Sequence, residues 1–233
     1  MVDEKEIVVM KLYDCFVGWL RRRSLGRIVI EALWPVKRTL DFFFVWVLSG
    51  RRRTIDMRSC TSYRQGILDL ISYLPVVDGG VIMAEIGSYR GESAELFLST
   101  GKVSHIYCID PWKPFYDKSD PAAYTDMAKV ERTFDSRFAD DNRVTKITGT
   151  IDDFVDMMSR RNAGMHIDFV YIDGCHTREA TEHDISVVME HIKPGLAIAG
   201  HDYVGFSGVK IAVDSRFGKP DKIFSDTSWI KVL

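Results

Sequence analysis

From about residue 61 to the end of the chain, short apolar runs alternate with longer stretches whose apolar residues recur every three or four positions. This is the pattern of parallel strands joined by crossover helices. The runs Val81–Gly87, His105–Asp110, Val144–Thr148, Ile167–Asp173 and Gly195–His201 read as strands. Several are apolar almost without interruption, as expected of strands covered by helices on both faces. Lys222–Ser225 and Ser228–Val232 read as two last short strands. Within Thr177–Ile192, the residues Ile185, Val188, Met189 and Ile192 fall at i, i+3, i+4 and i+7, one helix with a buried stripe. Lys193-Pro194-Gly195 ends it, because Pro cannot continue the backbone ladder and Gly tolerates a left-handed turn. The expected fold is α/β: a doubly wound, mostly parallel seven-stranded sheet over residues 61–233.

Residues 1–60 follow another pattern and read as a basic, apolar, helical N-terminal extension. Leu25, Ile28, Val29 and Ala32 form a helical stripe beside Arg21-Arg22-Arg23. Leu40–Leu48 reads LDFFFVWVL between Lys37-Arg38 and Arg51-Arg52-Arg53, too short for the roughly 20 apolar residues of a membrane-spanning helix. Three uses of this segment stand side by side: an arm packed on the main domain or on a second copy in a homo-oligomer, a peripheral membrane contact through residues 1–53, and nucleic-acid binding by the Arg runs. The membrane reading draws on the attraction of Lys and Arg to anionic headgroups.

Charge supports the division. Residues 1–60 carry 12 Lys/Arg against 7 Asp/Glu, a balance of +5, whereas residues 61–233 carry 19 against 26, a balance of −7. The net charge of −2 provides no global basic field, so nucleic acid is not an expected partner of the main domain. Cys15, Cys60, Cys108 and Cys175 form neither a C-x-x-C pair nor a disulfide framework. The acidic start, Met1-Val-Asp-Glu-Lys-Glu6, lacks the architecture of a cleavable signal. Both features fit a cytoplasmic protein, or one held peripherally at the inner membrane face.

In open α/β sheets ligands bind beyond the carboxyl ends of the strands, and here those ends are polar. The first strand ends in Glu85-Ile-Gly87-Ser88-Tyr-Arg-Gly91-Glu-Ser93 and runs into a helix. Its glycines allow a tight turn, and the helix start offers N–H groups to an acidic ligand group. The second strand ends in Asp110, about 20 residues on, where a carboxylate can accept two hydrogen bonds from a ribose diol. The pair points to a nucleoside-containing ligand, a description that also fits an NAD-type oxidoreductase.

Five elements in order narrow the choice: Glu85-Ile-Gly-Ser-Tyr-Arg-Gly91, Asp110-Pro-Trp112, Asp168-Phe-Val-Tyr-Ile-Asp-Gly174-Cys-His176, Lys193-Pro-Gly195 and Gly200-His-Asp-Tyr203. Together they resemble the class I S-adenosylmethionine-dependent methyltransferases, and more narrowly the branch of bacterial sugar and antibiotic O-methyltransferases and cephalosporin-hydroxylase-like proteins. The resemblance covers residues 61–233 and implies a Rossmann-like fold. Leu196 stands where that branch usually has a second glycine, and Arg178 where it often has Tyr.

The resemblance implies that Gly87, Ser88 and Gly91, in the turn that Glu85 and Ser93 flank, line the methionine end of S-adenosylmethionine. It implies that Asp110 holds the ribose and that Gly149-Thr150-Ile151-Asp152 borders the adenine. Two devices are available to activate an acceptor hydroxyl. Asp173 and the pair His201-Asp202 finish adjacent parallel strands, spaced about 4.8 Å apart, so their side chains converge on one point. Two carboxylates suit Mg²⁺ or another divalent cation, and related metal-dependent O-methyltransferases place acidic ligands at these strand ends. His201 is the discordant member, because imidazole favours Zn²⁺, Fe²⁺ or Mn²⁺: it stands behind the ligands, or it marks a site without metal. The second device is His176 as general base, kept neutral by the start of the following helix. Between Asp110 and Tyr124, Trp112, Phe115 and Tyr116 offer rings for stacking on an acceptor.

The expected function is S-adenosylmethionine-dependent O-methylation of a hydroxyl on a sugar or small polyhydroxylated natural product. The catalytic candidates are Asp173, His176 and Asp202; the cofactor candidates are Glu85, Gly87, Ser88, Gly91, Ser93, Asp110, Thr150, Asp152 and Asp173; the metal candidates are Asp173, His201 and Asp202. The alternatives are an NAD-type oxidoreductase, for which a full G-x-G-x-x-G turn is missing, and a non-catalytic, membrane-associated nucleoside-binding subunit.

Overall fold

The computed structural model describes residues 61–114, 116–117, 120–160 and 166–233. The helical extension expected over residues 1–60, and with it the membrane contact of residues 1–53, lies outside the described residues. Among the described residues no helix is long and apolar enough to cross a membrane.

The elements are α1 (Thr61–Tyr73), β1 (Val81–Ile86), α2 (Glu92–Ser99), β2 (Val103–Asp110), a 3-10 turn (Pro121–Tyr124), α3 (Met127–Arg137), β3 (Val144–Thr148), α4 (Ile151–Arg160), β4 (Phe169–Ile172), α5 (Arg178–Val187), β5 (Ala197–Gly200), α6 (Ser207–Phe217), β6 (Lys222–Ile223) and β7 (Trp229–Val232). One seven-stranded sheet has the order β3-β2-β1-β4-β5-β7-β6. Strands β1 to β5 are parallel, and β7 returns antiparallel to both β5 and β6. The expected doubly wound sheet is therefore present.

Successive strand residues point to opposite faces, and here both faces are dry. Met83, Phe169, Tyr171, Ala197 and Ala199 join the core under α1, α2 and α3, which contribute Leu70, Phe97 and Phe134. Ala84, Val170, Ile172 and Ile198 join the opposite core with Phe154, Ile185 and Val213 from α4, α5 and α6. Burial on both faces explains why the strands read as unbroken apolar runs.

β2 starts two residues before the expected run, at Val103, and β3 matches its run, whereas β4 (Phe169–Ile172) and β5 (Ala197–Gly200) are shorter than theirs. Asp168, expected inside β4, keeps its backbone bonds, its N–H donating to Ile82 O at 2.8 Å and its carbonyl accepting Leu196 N–H at 2.8 Å, and adds its side chain: Oδ2 accepts the Ile82 N–H at 2.8 Å, and Oδ1 lies 2.8 Å from His166 Nε2. The helix expected over Thr177–Ile192 changes its winding, with α5 followed by a π-helical turn over Val188–Ile192. The left-handed residue that ends it is Lys193 (φ 51°), not Gly195. Pro194 excludes the right-handed helical region for the residue before it, and the Lys193 N–H closes the turn on Val188 O at 2.8 Å.

The strand order places the switch point between β1 and β4, since β2 and β3 extend to one side and β4 and β5 to the other. That crevice is where an open α/β sheet receives a ligand. Phe97 anchors the layer beneath it, edge-on to Phe169 and Tyr171 with ring centroids 6.1 and 5.2 Å away. Phe97→Ala should lower the free energy of unfolding by about 3–5 kcal/mol in urea titrations; a loss below about 1 kcal/mol would show that this layer is not packed as described.

Candidate active site at the carboxyl ends of β1, β4 and β5

The turn after β1 is built on positive φ angles at Gly87 (89°), Tyr89 (47°) and Gly91 (78°). A Cβ on Gly87 would stand 2.1 Å from the Asp173 carbonyl oxygen, and one on Gly91 would stand 2.3 Å from the Phe138 ring. Both glycines are thus required by close approach as well as by backbone conformation. The turn spends several of its donors internally: Gly87 N–H bonds Ile109 O at 2.8 Å and Gly91 N–H bonds Ser88 O at 2.7 Å. Asp110 fastens the same turn, accepting Tyr89 N–H at 2.9 Å on one oxygen and Trp112 N–H at 2.6 Å on the other. Burial raises its pKa, and these two N–H groups offset part of the rise. Each oxygen keeps a second lone pair for a ligand.

Beneath the turn lies Glu85, fully buried. Desolvation pushes its carboxyl up to about 7, and the nearby Ser93 and Ser88 hydroxyls moderate the shift. Glu85 Oε1 and Ser88 Oγ are buried without a hydrogen-bond partner of good geometry among the described residues.

Beyond the turn, the ends of β4 and β5 meet. Ligating atoms of Asp173, His201 and Asp202 all lie within 4.8 Å of one another, so the convergence expected from adjacent parallel strands is realised. Asp202, in a left-handed conformation (φ 60°), aims its Oδ2 3.1 Å from His201 Nδ1 and 3.0 Å from His176 Nε2. Asp173 Oδ1 lies 3.8 Å from the former nitrogen and 3.9 Å from the latter. His176 is clamped from the other side, where Asp117 Oδ2 accepts its backbone N–H and meets its Nδ1, both at 2.8 Å. The Phe206 ring stacks on the imidazole with centroids 4.1 Å apart. Behind His201, Nε2 lies 3.8 Å from Asp226 Oδ2, while the Tyr63 ring meets it edge-on.

The charges follow from this packing. Burial favours neutral imidazole, yet the carboxylates prevail: Asp117, Asp173 and Asp202 raise the His176 pKa well above its ordinary value. Asp202 and Asp173 carry His201 to about 10 against the same desolvation. Burial likewise opposes the charged form of Asp202, but the two imidazoles hold its carboxyl below the usual range. The expectation that a helix start keeps His176 neutral is therefore reversed, since direct carboxylate contacts outweigh a helix dipole.

Other candidates are placed differently. Thr150 and Asp152 are joined to neighbours at the start of α4: Asp153 Oδ2 accepts the Thr150 N–H at 2.7 Å, half of a capping box, and Asp152 lies 3.0 Å from His183 Nε2 on α5. Trp112 is not free to stack on an acceptor, being buried against Phe134 with its Nε1–H donated to Tyr89 O at 2.8 Å. Tyr116 is half exposed, and Phe115 lies outside the described residues. Tyr63, Asp117, Asp120, Asp184 and Asp226 carry no motif and escape sequence reasoning. Of these, Asp184 packs against Gly174, and its burial raises the carboxyl to about 7.

Residues 84–203 match the family model described as a methyltransferase domain. Among solved structures, the chain is similar to an O-methyltransferase from Bacillus cereus in complex with SAH, with 14% identity, 96% of each chain covered and a TM-score of 0.51. It is also similar to the O-methyltransferase TomG from Streptomyces achromogenes (15% identity; 73% of this chain and 78% of that one; TM-score 0.47) and to the TDP-rhamnose 3'-O-methyltransferase CalS11 (15%; 78% and 85%; 0.47). At 14% identity the likeness to the Bacillus cereus enzyme speaks for the fold alone. No curated protein sequence matches the chain.

Glu85 yields a prediction about stability. Its folded pKa of about 7 lies above the ordinary 4.5, so its neutral form is favoured in the folded state. Its contribution is intact below about pH 4.5 and is lost as pH rises through 7, a fall of about 3 kcal/mol. Glu85→Gln should match the native protein in urea unfolding at pH 4.5 and exceed it at pH 8; equal stability at both values would rule out a buried, pH-sensitive carboxyl here.

Proposed function

The chain belongs to the methyltransferase-domain family, and from that premise we propose that it moves the methyl group of S-adenosylmethionine onto a hydroxyl of a sugar or other small polyhydroxylated acceptor. The observation that carries the reading is the position of Asp173, which borders the glycine turn through its carbonyl and the polar cluster through its carboxylate.

The residues fit the cofactor. Gly87 and Gly91 give the turn its left-handed backbone and its close packing on Asp173 and Phe138, and Glu85 Oε1 and Ser88 Oγ, unpartnered among the described residues, suit the ammonium and carboxylate of a methionine moiety. Asp110 retains lone pairs toward a ribose. When bound, S-adenosylmethionine supplies an electrophilic methyl group on a sulfonium. The chain's task is to align an oxygen with that methyl and remove its proton.

For the acceptor, Asp173 and Asp202 present carboxylates at one point while the Phe206 ring stacked on His176 walls one side. A divalent cation held by Asp173, His201 and Asp202 would lower the pKa of a neighbouring hydroxyl. Asp117 fixes the His176 Nδ1 and so leaves Nε2 facing Asp202. Because the carboxylates keep His176 charged in the unliganded site, His176 orients Asp202 rather than serving there as the base.

Calorimetric titration with S-adenosylhomocysteine, with NADH as control, tests the cofactor. Micromolar binding of the former and none of the latter is expected, and Asp110→Asn should weaken it by about tenfold or more, or about 1.4 kcal/mol. A folded protein that binds NADH and not S-adenosylhomocysteine would overturn the reading in favour of an oxidoreductase.

A further inference from the structure

Arg90 stands between two left-handed residues, Tyr89 and Gly91, in the turn after β1. The Gly91 backbone packs on the rings of Phe138 and Phe134, which sets this turn against α3. Arg90 is only 8% exposed, yet no carboxylate among the described residues comes within ion-pair distance of its guanidinium. Its Nη2 donates to the Tyr89 hydroxyl at a long 3.4 Å, and the guanidinium carbon lies 5.0 Å from the centroid of the Tyr89 ring. Burying a charge is costly unless an opposite charge or good acceptors meet it. Most of this fork of N–H donors is therefore left for a group that the described residues do not supply.

Arg90 lines a cleft of about 40 Å³ together with Thr125, Asp126, Lys129, Val130 and Thr133. That is space for about three waters or one small oxyanion. Lys129 brings a second cation, exposed to solvent on the first turn of α3, and the start of that helix adds positive potential. Thr125 brings a hydroxyl, held 3.1 Å from the Tyr89 hydroxyl. Asp126 is the one acid among these lining residues, and it is engaged by the helix: its Oδ1 accepts the Lys129 N–H at 3.1 Å.

We propose that Arg90 and Lys129 form an oxyanion subsite that takes a phosphate group, either free phosphate or the phosphate of a larger small molecule. The guanidinium fork matches two phosphate oxygens at once, whereas the ammonium acts as a point charge on a flexible stem. Two cations of such different geometry suit a tetrahedral group better than a planar carboxylate, which the fork alone would satisfy. The subsite uses none of the residues assigned above to the cofactor or the acceptor, so it does not rest on the methyltransferase reading.

The test is calorimetric titration of the full chain with inorganic phosphate at constant ionic strength, with chloride as the control, and then with glucose 1-phosphate. Saturable binding of phosphate and none of chloride is expected. Arg90→Met should weaken it by about tenfold or more, since a charge-assisted fork is lost, and Lys129→Met by about threefold or more. Arg90→Lys should recover only part of the loss, because it restores the charge without the fork. Tighter binding of glucose 1-phosphate than of phosphate assigns the subsite to a phosphorylated ligand, and equal or weaker binding assigns it to phosphate itself. Circular dichroism and S-adenosylhomocysteine binding are measured on every variant, and if Arg90→Met does not fold, the exposed Lys129 decides. Absence of saturable phosphate binding, or a phosphate affinity unchanged in Lys129→Met, overturns the proposal whether or not S-adenosylhomocysteine binds.

Discussion

The site depends on how closely the ends of β1 and β4 approach each other. Asp173 N–H bonds Ile86 O at 2.7 Å, and the Asp173 carbonyl occupies the space that any Cβ on Gly87 would need. This contact ends the ladder between the two strands and turns their chains apart into the crevice at the switch point. One strand then enters the glycine turn, and the other ends in the Asp173 carboxylate beside His201 and Asp202. A larger residue at position 87 would force the strands apart and separate the two halves of the site, although no polar group would have been removed.

Around that junction the protein concentrates buried carboxylates. Asp117, Asp173, Asp202 and Asp226 surround two imidazoles, and Glu85 lies below without a cationic partner among the described residues. Burying a charge is tolerated only when it is paired or when the group takes up a proton, and both solutions are used. The histidines become cations, while Glu85 shifts toward neutrality.

Much of this was legible in the chain. Unbroken apolar runs and helical periodicity identify the strands and helices because both sheet faces are dry, and the ends of those strands carry Gly87, Asp110, Asp173 and Asp202. Convergence of Asp173 with His201 and Asp202 follows from parallel pairing alone. The partners of these groups were not legible. Asp117 arrives from an aperiodic loop, and Asp226 from a turn between two short strands at the sheet edge. Neither position bears a local signal, since a carboxylate's role there is set by contacts across 59 and 25 residues of chain, to His176 and His201. The charge of His176 was misjudged for the same reason: its helix start is visible in sequence, while the carboxylates that outweigh it are distant.

The antiparallel return at the end of the chain explains how such a partner reaches the site. In a wholly parallel sheet every strand end near the crevice would enter a loop above it. Because β7 runs opposite to β5, the turn before it comes up beside the carboxyl end of β5, and Gly200 pairs with Trp229. Gly200 has no room for a Cβ, which would stand 2.4 Å from Ile172 O and 2.8 Å from Trp229 Nε1. That packing fixes the turn carrying Asp226 and Ser228, and Ser228 Oγ lies 3.0 Å from the buried Tyr171 hydroxyl on β4. The last strand pair therefore does more than close an edge. It delivers a rigid carboxylate behind His201 from the core side, where a mobile loop could not hold it and where α1, through Gly66 and Tyr63, seals it from water.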